Sequence, residues 1–169
     1  SLYSGVVNFR AERLTTGQYV LEDSAKKIFT YDRKNARGSS WHFWDPNTIF
    51  SDSADKPGVD VHWGMTKTYD YFKNDLGRTS YDNRGSNIVN NVNYKTDYNN
   101  AFWRGSAKQM YYGKGNDTLF SHLVSLDVVG HEFSHGVVQF TAGLIYRKES
   151  GALNESFADI FGTAIEKKQ

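Results

Sequence analysis

Cysteine is missing altogether from this sequence. That absence removes disulfide staples, thiolate metal sites and cysteine nucleophiles together, so any metal here must be held by histidine and carboxylate. Net charge is nearly missing too. Lys and Arg number 20 against 19 Asp and Glu, which leaves no field to draw the chain onto nucleic acid or anionic lipid, and neither partner is expected. No uncharged window reaches the length of a membrane span, and the stretch from Ser1 to Arg10 has neither the basic start nor the apolar run of a signal peptide. Proline is limited to 2 residues.

Aromatic residues are what the chain has in quantity, with 11 Tyr, 11 Phe and 4 Trp. Such a composition suits a sheet-rich globular domain with many half-buried rings, and it argues against a disordered or fibrous chain. At 169 residues one domain with a real core is possible, as are two small ones. Leu2 to Arg10, Gln18 to Glu22 and Lys27 to Asp32 alternate apolar and polar residues between turn-forming clusters, which predicts a meander of antiparallel strands. From Asp60 to Lys73, Val61, Met65, Tyr69 and Phe72 recur at helical spacing, with Asp60 placed to cap the helix. Gly77 to Asp117, rich in Asn, Gly, Tyr and Ser, reads as short strands joined by long loops. Leu119 to Thr141 and Gly151 to Lys168 carry two further helical patterns. Strands first and helices after make the expected fold class α+β.

The chemistry is concentrated in Gly130-His131-Glu132-Phe133-Ser134-His135. On a helix, residues i and i+4 lie one above the other, so His131 and His135 can point their imidazoles at a single ion. Glu132 is turned about 100° away, near enough to reach a water on that ion without being a ligand. Zinc with an open position activates water and polarises a carbonyl, and a neighbouring carboxylate then moves the proton. The plain alternative is three polar residues on an ordinary helix.

The next helical segment weighs against that alternative. Glu155, Asp159, Gly162 and Glu166 stand at i, i+4, i+7 and i+11, which puts three acids in one stripe. The rest of this segment, with Phe157, Ala158, Ile160, Phe161, Ala164 and Ile165, is apolar around most of its circumference and is expected to be buried. Buried carboxylates need cations or hydrogen-bond donors. Glu155 is therefore the expected third zinc ligand, and Asp159 the acceptor of the free ring N–H of a ligating histidine, His131. A third histidine six positions after the pair is ruled out by Thr141.

Taken together, Leu2-Tyr3-Ser4-Gly5, Asp60-Val61-His62, Tyr69-Asp70-Tyr71, Asn100-Ala101-Phe102-Trp103, Asp127 to Glu132, Thr141 to Tyr146 and Gly151 to Glu155 resemble the thermolysin-like bacterial neutral metalloproteases (gluzincins) from one end of the chain to the other. The resemblance implies a zinc endopeptidase, with His131, His135 and Glu155 on one catalytic zinc and Glu132 as general base. It implies that Tyr146 helps hold the developing oxyanion and that Asn100 and the Ala101 backbone form a substrate-binding edge. Val128 would line a pocket preferring a bulky apolar side chain on the amine side of the cut. Asp127 and Glu166 match structural calcium ligands, with further ligands beyond Gln169, since hard oxygen donors suit calcium.

The resemblance also implies that residues 1–169 are the zinc-bearing N-terminal domain, ending in the central helix region. A C-terminal helical domain, absent from this chain, would be its partner, alongside a peptide or protein substrate and a propeptide or proteinaceous inhibitor. The mature form would be secreted. Gly130 stands where alanine is frequent in the family, and His122 falls near the specificity pocket where many relatives are apolar. His122 is expected to be a pocket-wall or surface residue, and His42 and His62 structural or surface residues. Two other functions compete: a zinc-bound domain that serves only as a binding partner, and an aminopeptidase with the same ligand set but acids for a free amino terminus.

Overall fold

The computed structural model describes residues 1–36 and 38–169. Nine strands and three helices follow one another along the chain, counted among these residues. β1 (Glu12–Arg13), β2 (Tyr19–Val20) and β6 (Trp44–Asp45) form a small antiparallel sheet. The larger sheet runs β3 (Glu22–Asp23), β4 (Ile28–Asp32), β7 (Ile88–Val92), β9 (Gln109–Tyr112) and β8 (Ala101–Arg104), and β5 (Trp41–His42) pairs with β4. Helices α1 (Lys56–Asn74), α2 (Leu126–Gln139) and α3 (Lys148–Lys168) complete the α+β fold.

The strand reading of the first third needs correction in three places. Leu2 to Arg10 forms no strand. Its alternation is real, because Val7, Phe9 and Ala11 pack on the core while Val6 is 99% exposed. The amides of Leu2 and Tyr3, however, are taken by the buried Asp60 carboxylate and not by a neighbouring strand. Gln18 to Glu22 splits into β2 and β3, which belong to different sheets. The larger sheet is also mixed: β4 pairs with β7 and β7 with β9 in parallel. Parallel neighbours need a long crossover, and α1 supplies the one between β4 and β7.

α1 begins four residues earlier than expected, with Pro57 in its first turn and Asp55 as N-cap. Proline there costs no hydrogen bond and presets the helical φ. Asp60 lies inside the helix and caps nothing; it faces inward, toward the first residues of the chain. α2 is shorter than the pattern from Leu119 suggested. The Asn116 side chain accepts the amides of Thr118 and Leu119, and the Phe120 carbonyl accepts those of Asn116 and Asp117, so that stretch closes into a loop.

The core lies between the larger sheet and the helices, where Ile28, Ile88, Val92 and Met110 meet Val61, Met65, Phe72, Val129 and Phe133. Phe72, Phe133 and Phe161 place one ring from each helix within 5.2 Å of Phe72, which fixes α2 and α3 against α1. α3 departs from expectation in exposing Phe157 at 38% and Ile160 at 57%, and Leu153 beside them is 46% exposed. Its other face packs on α2, and no described element covers this side.

His62 is fully buried; its Nδ1 meets the Thr30 hydroxyl at 3.1 Å and its Nε2 the Arg10 carbonyl at 2.9 Å. Burial pushes its pKa from 6.5 down to about 4. The unfolded chain therefore binds the extra proton first. Stability conferred by neutral His62 is present above pH 6.5 and is lost as pH falls toward 4, a loss of up to about 3 kcal/mol. Urea unfolding midpoints measured across that window should fall in the wild type and fall less steeply in His62→Gln.

Candidate metal centre

α2 and α3 lie side by side, and the chemistry sits where they meet. His131 and His135, one turn apart on α2, bring their Nε2 atoms to 3.0 Å of each other. Glu155 on α3 reaches both, with Oε2 3.2 Å from His131 Nε2 and Oε1 3.6 Å from His135 Nε2. The outer nitrogens are equally well placed. His131 Nδ1 meets Asp159 Oδ1 at 2.9 Å, and His135 Nδ1 meets Asn154 Oδ1 at 2.7 Å.

These contacts orient the two rings. Each outer acceptor keeps the ring proton on Nδ1, so both Nε2 lone pairs point inward, at each other and at a carboxylate. Two ring nitrogens and a carboxylate thus converge on one point, a set that a shared cation would stabilise. Two imidazoles and one carboxylate are the donors zinc takes when it retains an open position, and carboxylate or amide support of the outer ring nitrogen is what ligating histidines use. Among the described residues this is the one group of three or more His, Cys, Asp or Glu whose ligand atoms lie within 4.8 Å of one another.

Glu132 lines the same site as His131, His135 and Glu155. It is 5% exposed, and its Oε2 has no hydrogen-bond partner. Burial pushes its carboxyl up to about 8; a hydrogen bond from the Trp103 backbone N–H opposes that shift and the Glu155 charge adds to it. A divalent cation held by the three ligands would act against the rise. Burial also lowers the pKa of His135, against the pull of its bond to Asn154, which favours the neutral, ligating form. The Tyr146 hydroxyl donates to Glu155 Oε1, and that bond, with some burial, pushes its pKa up to about 12. Tyr146 thus stays protonated at neutral pH.

A cleft of about 670 Å³ opens over this centre, lined by Asn100, Ala101 and Trp103 on one wall and by Tyr146, Asn154 and Glu155 on the other. A smaller compartment of about 210 Å³ adjoins it at Asn100, Ala101, His131 and Glu132, and Leu123, Asp127 and Val128 line it. Ala101 belongs to β8, the outermost strand of its sheet; it pairs with Tyr112 on one side and leaves its other edge to the cleft.

His131, Glu132, His135, Tyr146, Glu155 and Asp159 are thus brought together, with Asn100, Ala101 and Val128 on the adjoining walls. Asp127 lies in the smaller compartment, while Glu166 is exposed near the end of α3. His122 is half-buried; its backbone carbonyl accepts the Tyr3 hydroxyl at 2.8 Å. His42 is exposed and stands 3.3 Å from Glu22. Asn154 and the Trp103 amide were not singled out in the sequence. An amide side chain directly before Glu155 was a usable signal for Asn154, but a backbone N–H leaves none.

Residues 1–139 match the family model for the thermolysin metallopeptidase catalytic domain. The chain belongs to the thermolysin family of metallopeptidases. Residues 142–169 match the model for the alpha-helical domain of thermolysin metallopeptidases. The chain is 47% identical over 158 residues to the neutral protease NprE of Bacillus pumilus, covering 86% of this chain and 50% of that protein. It is 46% identical over 156 residues to the thermolysin of Alicyclobacillus acidocaldarius subsp. acidocaldarius, covering 89% of this chain and 28% of the relative. Among solved structures, the precursor of protealysin, a metalloproteinase from Serratia proteamaculans, superposes with a TM-score of 0.73 at 34% identity, over 83% of this chain and 42% of that one. The chain therefore spans half the length, or less, of these relatives.

Asn154 gives the sharpest test of the centre as described. Asn154→Ala removes the acceptor that orients His135, so zinc affinity should fall by about 10–100-fold, as measured by competition with a chromophoric chelator.

Proposed function

We propose that this chain is the zinc-bearing part of an endopeptidase that hydrolyses internal peptide bonds. The observation that carries the reading is the convergence of His131, His135 and Glu155 beside the buried carboxylate of Glu132, at the floor of a cleft walled by a free strand edge. His131, His135 and Glu155 would hold zinc, whose chemistry when bound is to acidify water and polarise a carbonyl.

The chain's own residues account for the other requirements. An extended peptide adds to the open edge of β8 at Asn100 and Ala101, which fixes its backbone over the centre. Glu132 takes a proton from the attacking water and delivers it to the leaving nitrogen. Burial raises the proton affinity of this carboxyl, and a cation held by the three ligands would act against that rise and keep it ionised, ready to accept the proton. Tyr146, protonated at neutral pH, donates to the negative charge that develops on the peptide oxygen, once it turns from Glu155. The compartment lined by Leu123 and Val128 receives a bulky apolar side chain on the amine side of the cut.

Three further parts belong to the same reading. Calcium binds with Asp127 and Glu166 as oxygen donors. The exposed apolar stripe of Leu153, Phe157 and Ile160 on α3 seats further helical structure, a view supported by the match of residues 142–169 to the model for an alpha-helical domain. The enzyme is secreted, with a propeptide or inhibitor as an additional partner of the cleft. No helix among the described residues is long and apolar enough to cross a membrane.

Glu132→Gln should leave zinc bound and lower kcat on a blocked peptide by several orders of magnitude, since it removes proton transfer and spares the ligands. Glu155→Ala should lose metal instead. Metal analysis of both variants beside their kinetics separates the roles, and zinc loss in Glu132→Gln would contradict them. Cleavage restricted to peptides with a free amino terminus would favour an aminopeptidase.

A further inference from the structure

Two glycines face each other where α2 and α3 cross, each close in sequence to the metal centre. A Cβ built on Gly162 would lie 2.6 Å from the Asp127 carbonyl oxygen and 3.3 Å from the His131 amide nitrogen, both backbone atoms of α2. A Cβ on Gly130 would lie 2.9 Å from Ile165 Cδ1 and 3.2 Å from Gly162 Cα. We propose that Gly162 is a positioning residue for the metal centre: with Gly130 it sets the separation of α2 and α3 at which Glu155 and Asp159 meet His131 and His135. This rests on His131, His135 and Glu155 being the zinc ligands.

Distances decide the matter. Ordinary contact for a Cβ begins at 3.4 Å, so a side chain at Gly162 must drive α3 back by most of an ångström. A side-chain neighbour could swing aside, but a helix backbone cannot. Asp159 and Glu155 lie three and seven residues before Gly162, on the same face of the same helix, and a packed helix moves as a unit. They would retreat with it. Metal–ligand distances tolerate only about ±0.2 Å, several times less than the displacement. The contact at Gly130 is of a different kind, since its nearest neighbour is the far end of Ile165, a flexible side chain.

Four variants of the intact protein test this, through zinc affinity and the visible absorption of the cobalt-substituted protein, neither of which requires turnover. Gly162→Ala should raise the zinc Kd at least about tenfold and shift the cobalt bands as the ligand field distorts. Gly130→Ala should weaken zinc less, and adding Ile165→Val should restore it, because the colliding methyl is gone. This pair also keeps the idea testable if Gly162→Ala does not fold. Val137→Ala removes core packing on α2 away from the crossing; it should lower Tm and leave the zinc Kd and cobalt spectrum of the folded protein unchanged. Wild-type affinity and spectrum in Gly162→Ala, failure of Ile165→Val to rescue, or equal zinc loss in Val137→Ala would each overturn the proposal. A wild-type protein that bound no zinc would defeat the ligand assignment, and the spacing role would fall with it.

Discussion

Two imidazole Nε2 atoms held 3.0 Å apart, with a carboxylate against both, make a cluster that a shared cation would stabilise, and the fold is arranged to keep them there. α2 supplies the histidines one turn apart and α3 supplies the carboxylate; the rings of Phe72, Phe133 and Phe161 lock the two helices onto α1. Asp159 and Asn154 fix the ring protons on the outer side. Burial of apolar surface around the centre thus supports an electrostatic arrangement that would not persist in a loose chain.

The sheet contributes in a different way. β8 ends the strand order, so its outer edge is open to the cleft, and the same strand sends the Trp103 amide to Glu132. One element therefore both leaves an open edge on the cleft and holds the buried Glu132 carboxylate. In the proposed reading, that coupling would tie the position of a bound backbone to the position of the base, which is the kind of alignment hydrolysis requires.

Much of the centre was legible because helical spacing is a local property. His131 and His135 at i, i+4 and Glu155 and Asp159 at i, i+4 define two faces, and only the packing of those faces on each other had to be supplied. The strands were harder. Alternation at Val7, Phe9 and Ala11 marks which residues go inward, but it says nothing of whether a partner strand exists, and Asp60 took the amides that a ladder would have used. Nor does alternation reveal that β7 runs parallel to β4, since that depends on the crossover through α1. Asp60 looked like a cap because it is acidic and opens an apolar pattern; Pro57 set the real start upstream. The burial expected around α3 failed at Phe157 and Ile160, because apolar composition does not say which neighbour provides the cover.

The most direct measurement is an anomalous difference map recorded above and below the zinc absorption edge from crystals of the protein. The account predicts a peak present only above the edge, at about 2.0–2.2 Å from Nε2 of His131, Nε2 of His135 and a carboxylate oxygen of Glu155. An empty map there, or a zinc peak held by other side chains, would contradict it.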